Sequence, residues 1–369
     1  MEGEKPALET ALPAITSLRS GRNAAYDAPQ EALPRMRSHG RIKRRLRRAF
    51  VALALAAAAC GGPRQASTDV AFVSNESLDQ VQLFDGATGA TMPPLATGAR
   101  PRGMALSPDG RTLYIAASNA NRIEAWDVAG RRRLRLYASG TDPERFAVSP
   151  DGAILYIANE DHSAVSFLDL RTGGIVREVK VGPEPEGIGV SPDGRLVVAT
   201  SEAASTAHFI DAASGRLLDS VPVGNRPRFV LFLDRGRRVW VSSEQRGTIS
   251  EFDSATRRIV RTIDLVPAFP GPEPVQAVEM KATRDEKRVF VAMGRGNRVA
   301  EIEPASGRVV RSFPTGERTW GIALSPDEKR LYAVSGLSGT ATVVDLEANR
   351  VARTVTLGGK PWGVVAAPR

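Results

Sequence analysis

The chain has 369 residues, 42% of them hydrophobic, enough to build a sizeable core. Its 34 glycines and 25 prolines, with few helix-favouring runs, favour many short strands and turns. Of the formal charge of +9, residues 1–60 carry 11 basic against 5 acidic side chains, leaving 39 against 36 in the remainder, so no basic stripe survives to bind nucleic acid.

The first element in chain order is a leader. From Met36 a basic stretch (Arg37, Arg41, Lys43, Arg44, Arg45, Arg47, Arg48) precedes an apolar run from Phe50 to Ala59, and small residues then abut Cys60. The apolar run is too short to span a hydrocarbon core of about 30 Å and suits the hydrophobic region of a signal peptide. Residues 36–60 therefore read as an export signal. Cys60, the single cysteine, excludes an internal disulfide. Its setting resembles a bacterial lipobox, with Ala57 where leucine is usual, and implies a lipid-anchored periplasmic protein whose only membrane attachment is that anchor. Ordinary cleavage after an Ala-x-Ala site is the other reading. Residues 1–35 show no apolar periodicity; they are expected to be disordered, or to precede a true start at Met36.

The rest of the chain, 69–369, is a repeat. Ser107-Pro108-Asp109-Gly110 recurs as Ser149–Gly152 and Ser191–Gly194, then in altered form at Leu233–Gly236, Thr283–Glu286 and Ser325–Glu328, at steps of 42, 42, 42, 50 and 42 residues. A second register is bulky and apolar: Phe72, Tyr114, Tyr156, Val198, Trp240, Phe290 and Tyr332. A third is acidic: Asp85, Asp127, Asp169, Asp211, Asp253, Glu303 and Asp345. The apolar and acidic series each have seven members.

Every unit reads as four strands. In the second these are Gly103–Leu106, Leu113–Ala116, Arg122–Asp127 and Arg133–Tyr137. The Ser-Pro-Asp-Gly turn joins the first two, with proline presetting φ and glycine closing the turn. A four-stranded sheet of this pattern has two apolar faces and must pack on both sides. Seven such sheets around an axis satisfy that need: an all-β, seven-bladed β-propeller with four-stranded blades.

The folded part opens with a second strand and ends with a first strand, Pro361–Ala366. The C-terminal strand is thus expected to pair into the first blade and close the ring. The 50-residue step carries an insertion, Pro267–Pro274, expected to be an extended surface loop.

The repeats resemble the YVTN-type propeller repeat, represented by Leu155-Tyr156-Ile157-Ala158-Asn159 and the Ser-Pro-Asp-Gly turns. Residues 69–369 as a whole are similar to the PQQ-dependent catabolism-associated β-propeller proteins, through stretches such as Arg100-Pro101-Arg102-Gly103, Glu184-Pro185-Glu186-Gly187, Arg226-Pro227-Arg228-Phe229, Trp240-Val241-Ser242-Ser243-Glu244 and Pro361-Trp362-Gly363. That resemblance implies a periplasmic accessory to quinoprotein-dependent alcohol oxidation, with transporter or quinoprotein dehydrogenase components as partners. It supplies no catalytic residue.

By strand alternation, the loops entering the first strand share one rim with the loops joining second and third strands. That rim collects Arg102, Glu144, Glu186, Arg228, Val278, Trp320 and Trp362, preceded by Arg100, Asp142, Glu184, Arg226, Gln276, Arg318 and Lys360. The other loops add Glu76, Glu160, Glu202 and Glu244. Converging charged and aromatic groups suit a polar or anionic solute, or a protein loop. Alternatively, the same charges are pairs stitching neighbouring blades. Of three histidines, His39 lies in the leader, while His162 and His208, near Glu160 and Glu202, are the only histidine candidates for a metal. No haem-attachment or phosphate-loop motif occurs, and no cofactor is expected. The expected function is a non-catalytic binding propeller. The rival is a metal-dependent, lactonase-like hydrolase on the channel face.

Overall fold

The computed structural model describes residues 69–369; the leader, Cys60, His39 and residues 1–35 lie outside the described residues. Seven four-stranded antiparallel sheets form the blades. Blade 1 pairs the C-terminal strand Pro361–Pro368 with Asp69–Asn75, followed by Gln80–Asp85 and Thr91–Ala96. Blades 2 to 7 follow in chain order, their first strands being Pro101–Leu106, Pro143–Val148, Pro185–Val190, Pro227–Leu233, Met280–Ala282 and Thr319–Leu324. The only helical segments among the described residues are single 3₁₀ turns, so no described helix is long and apolar enough to cross a membrane.

The packing shows why the ring must close. Buried side chains form seven apolar clusters, one at each contact between neighbouring blades. Phe72, Leu83 and Ile115 join blades 1 and 2, and Phe84, Tyr332 and Val343 join blades 7 and 1. Each blade therefore buries both faces, and every fully buried Leu, Ile or Phe contributes roughly 1.5–3 kcal/mol. All members of the bulky apolar register are buried, from Phe72 at 2% exposure to Tyr332 at 0%. The seam between blades 7 and 1 is also latched by polar bonds: Asp69 accepts the Tyr332 hydroxyl and pairs with Arg330 at 2.6 Å.

The C-terminal strand runs antiparallel to Asp69–Asn75, with Phe72 opposite Val365 and Val73 opposite Val364. The expected closure is present, two residues longer than the sequence indicates. First strands also begin earlier than expected, at Pro101 rather than Gly103 in blade 2, because a register shift between Pro101 and Met104 keeps the irregular start within the sheet.

The insertion forms a 3₁₀ turn, Val266–Ala268, and then exposed irregular chain. Its proximity leaves blade 6 the shortest first strand, Met280–Ala282.

The acidic register closes turns. At the end of the third strand in six blades the aspartate accepts backbone N–H groups of the following turn, as Asp169 does from Thr172 and Asp253 from Thr256, both within 2.8 Å, while Glu303 in blade 6 accepts the Ser306 hydroxyl. Within the Ser-Pro-Asp-Gly turns the serine hydroxyl donates to the aspartate, for example Ser149 to Asp151 at 2.6 Å. Both series occupy the end of the ring opposite the charged rim.

Candidate functional site

The rim is built by one backbone device repeated around the ring. In five blades the residue just before the first strand takes a left-handed conformation: φ is 56° at Arg100, 51° at Asp142, 53° at Glu184 and 55° at Arg226, each preceding a proline, and 59° at Arg318, preceding Thr319. Its carbonyl accepts an N–H from the loop between second and third strands: Ser118 to Arg100, Glu160 to Asp142, Glu202 to Glu184 and Glu244 to Arg226. The two sets of loops are thereby held together on one rim, as alternation predicts. A left-handed backbone is costly for residues with a Cβ, so each of these side chains is aimed by its surroundings.

Two charged clusters result. In the first, Arg102 of blade 2 lies between Glu76 of blade 1, at 3.1 Å, and Glu144 of blade 3, while Arg100 reaches Asp142 at 3.2 Å. In the second, Arg228 of blade 5 binds Glu186 and Glu202 of blade 4 and Glu244 of its own blade, the last at 2.6 Å, and Arg226 pairs with Glu202. The stitching pattern is thus real. These pairs are nonetheless buried to a degree that ordinary surface pairs are not, with Glu144 at 0%, Glu186 at 4% and Arg228 at 6% exposure.

Burial alters the protonation chemistry. It raises the carboxyl of Glu160 to about 8, helped by the Glu144 hydrogen bond and by the charges of Glu144 and Asp142, against Arg102. Burial likewise raises Glu202 to about 7, against the attraction of Arg226 and with repulsion from Glu184 and Glu244. Asp142, Glu144 and Glu160 each offer an oxygen within 4.8 Å of the others, a geometry that could hold a cation.

Four residues at the centre are missing from the sequence reading. In the third position of the first strand, blades 2, 4, 7 and 1 carry Gly103, Gly187, Gly321 and Gly363. A Cβ on Gly103 would lie 2.6 Å from the Glu144 carbonyl, and one on Gly321 would lie 2.7 Å from that of Trp362. These glycines let each first strand rest against the next. Blades 3, 5 and 6 instead carry Arg145, Phe229 and Glu279, which meet one another. Arg145 donates to Glu279 at 3.2 Å, three blades away, and lies 5.2 Å from the Phe229 ring and 4.4 Å from that of Trp362. Lys281 completes the group, 2.9 Å from Glu279 and 5.1 Å from the Phe229 ring. The signal was the broken glycine column.

Trp362 also lies 5.4 Å from Arg102, and Trp320 lies 5.1 Å from Arg228, so both rim tryptophans stack on arginines. Val278 departs from the charged pattern: it is buried in the apolar cluster of blades 6 and 7. The two histidines do not converge on a site. His208 is buried, and its ring nitrogens engage the Gly182 N–H, Ser201 and Ser220, with burial lowering it to about 4. His162 is exposed beside Glu178 at 3.8 Å.

Several buried polar atoms have no hydrogen-bond partner among the described residues: Nε and Nη2 of Arg145, one oxygen of Glu186 and the indole N–H of Trp320 at the rim, and the indole N–H of Trp240 and the Thr342 hydroxyl elsewhere. Buried polar groups are ordinarily satisfied, so these atoms leave unmet hydrogen-bonding capacity at the rim as well as elsewhere in the ring.

These features define a seven-bladed β-propeller with a charged rim. Residues 112–238 match the family model of YNCE-like β-propellers. By sequence, no curated protein matches the chain. Among solved structures, the periplasmic gluconolactonase PpgL of Pseudomonas aeruginosa is similar at 23% identity and a TM-score of 0.68, over 81% of this chain and 99% of that one. Kuenenia stuttgartiensis hydrazine synthase matches at 22% identity and a TM-score of 0.62, over 72% and 89%. A protein of unknown function from Desulfotomaculum acetoxidans matches at 14% and 0.68, over 81% and 99%. Identities this low establish the fold alone.

Proposed function

We propose that this protein is a non-catalytic binding propeller, exported to the periplasm, anchored through a lipid on Cys60, and holding a polar or anionic solute at its charged rim. On this proposal it serves PQQ-dependent alcohol catabolism beside transporter or quinoprotein dehydrogenase components, as the resemblance of residues 69–369 implies. The observation that carries the binding role is the set of buried, unpartnered polar atoms at the rim.

A thermal-shift screen tests the proposal, because a ligand that binds only the folded state raises the melting temperature. Anionic solutes should stabilise the protein and divalent cations should not. Loss of the anion effect in Arg226→Gln would place binding on the rim. Failure of every anion to stabilise the wild type would contradict the solute reading.

The second reading is a metal-dependent, lactonase-like hydrolase. It is favoured by the Asp142, Glu144 and Glu160 oxygens, which together could hold a cation. The similar Pseudomonas protein is named a gluconolactonase. A divalent cation bound at this site would polarise a lactone carbonyl. Cation-dependent lactone hydrolysis that disappears in Glu160→Gln would establish this reading over the first.

A further inference from the structure

We infer that Arg145 anchors a site for a small monocarboxylate at the centre of the ring. This rests on the reading of the rim as a binding surface and deepens it by naming the ligand class. The guanidinium uses Nη1 to reach Glu279 at 3.2 Å, while Nε and Nη2 have no partner. Those two N–H groups lie on one edge of the planar group, the edge that receives both oxygens of a carboxylate in parallel. Arg145 is 8% exposed, so bulk water does not freely satisfy that edge. Arginine keeps its charge at all relevant pH values and cannot escape the cost by deprotonation.

The surroundings fix the fork. Trp362 lies 4.4 Å from the guanidinium carbon and Phe229 lies 5.2 Å from it, so aromatic rings hold the plane. Phe229, which is only partly buried, also offers apolar surface to a short hydrocarbon tail.

Charge selects the ligand. Glu279 faces two cations, Arg145 at 3.2 Å and Lys281 at 2.9 Å, which leaves this group one negative charge short. Of the neighbouring carboxylates, Glu144 is held by Arg100 and Arg102, and Glu186, Glu202 and Glu244 by Arg228 and Arg226. A single carboxylate supplies both the missing charge and the two acceptors. A doubly charged phosphate would exceed the need.

Sodium propionate is the probe, titrated calorimetrically into the full-length protein at ionic strength fixed with sodium chloride, with propionamide as the neutral control of the same shape. Propionate should bind saturably and propionamide should not. Arg145→Lys keeps the positive charge but has no fork, and should bind roughly tenfold more weakly. Glu279→Gln removes the internal competitor and should bind more tightly. It carries the test if the lysine variant fails to fold, as judged by its melting curve. Equal binding of propionamide, undiminished binding in Arg145→Lys, or weaker binding in Glu279→Gln would overturn the site. Binding kept in Arg145→Lys but lost in Arg226→Gln would overturn Arg145 as anchor while leaving the rim as a binding surface. Absence of propionate binding beside stabilisation by another anion would do the same.

Discussion

The two ends of the ring are made from the same repeat but hold their charges differently. At the hairpin end, Asp109, Asp151, Asp193, Asp285 and Asp327 each accept a neighbouring Ser or Thr hydroxyl within their own turn. Those bonds lower the exposed Asp109 carboxyl, the Ser107 hydroxyl contributing most. The chemistry is local, repeated and solvated. At the rim, the equivalent position changes from blade to blade (Arg102, Glu144, Glu186, Arg228, Trp320, Trp362), and the partners come from neighbouring or opposite blades. The lesson is that what a repeat keeps constant builds turns, and what it varies while burying builds a site.

The largest effect expected on this comparison comes from the strand that serves the whole ring. Ending the chain at Lys360 removes Trp362, Val364 and Ala367, all buried, and leaves the first edge of blade 1 unpaired. Calorimetry should then show no cooperative transition near the wild-type temperature; an unchanged one would contradict closure.

Next comes Arg228→Met, which strands the buried Glu186 and leaves Glu202 and Glu244 with Arg226 alone, and should cost about 3–5 kcal/mol in urea unfolding at neutral pH. The cost should shrink at pH 5, below the raised carboxyl of Glu202.

The third effect is a pH dependence confined to the rim. Because the folded Glu160 carboxyl is raised to about 8 from an ordinary value of 4.5, the folded state holds a proton that the unfolded state releases. Stability is therefore full below pH 4.5 and declines as pH rises towards 8. His208, lowered from 6.5 to about 4, acts oppositely, but only between those two values. Unfolding midpoints should fall from pH 6.5 to 8 in the wild type and fall less in Glu160→Gln; parallel profiles would refute the buried-proton picture.

The smallest effect belongs to the hairpin end. Arg237 pairs with Asp234 at 2.6 Å but is 76% exposed, so Arg237→Ala should leave the unfolding midpoint within its scatter. A clear loss there would blur the distinction between the ends.

The ring was readable in the sequence because three registers repeat with nearly one period, and each has a local job: Ser-Pro-Asp-Gly makes a turn, Tyr156 and its equivalents fill an interface, and Asp169 and its equivalents cap a turn. The rim charges were readable too, since alternation places Arg102 and Glu144 on the same end as Glu160. Their partners were less so. Arg145 and Glu279 are 134 residues apart and meet only through curvature that no single repeat encodes. His208 is a similar case: its acidic neighbours in sequence suggested a metal, whereas its contacts are Ser201 and Ser220 on the flanking strands.

The most direct test of a ligand site at the variable end is the Nε–H resonance of Arg145 in protein labelled with ¹⁵N-arginine, assigned by its disappearance in Arg145→Lys. On adding propionate that resonance should move downfield and saturate, while the Nε–H of exposed Arg237 stays in place. An Arg145 signal that does not respond, or that moves no more than Arg237, would contradict the account.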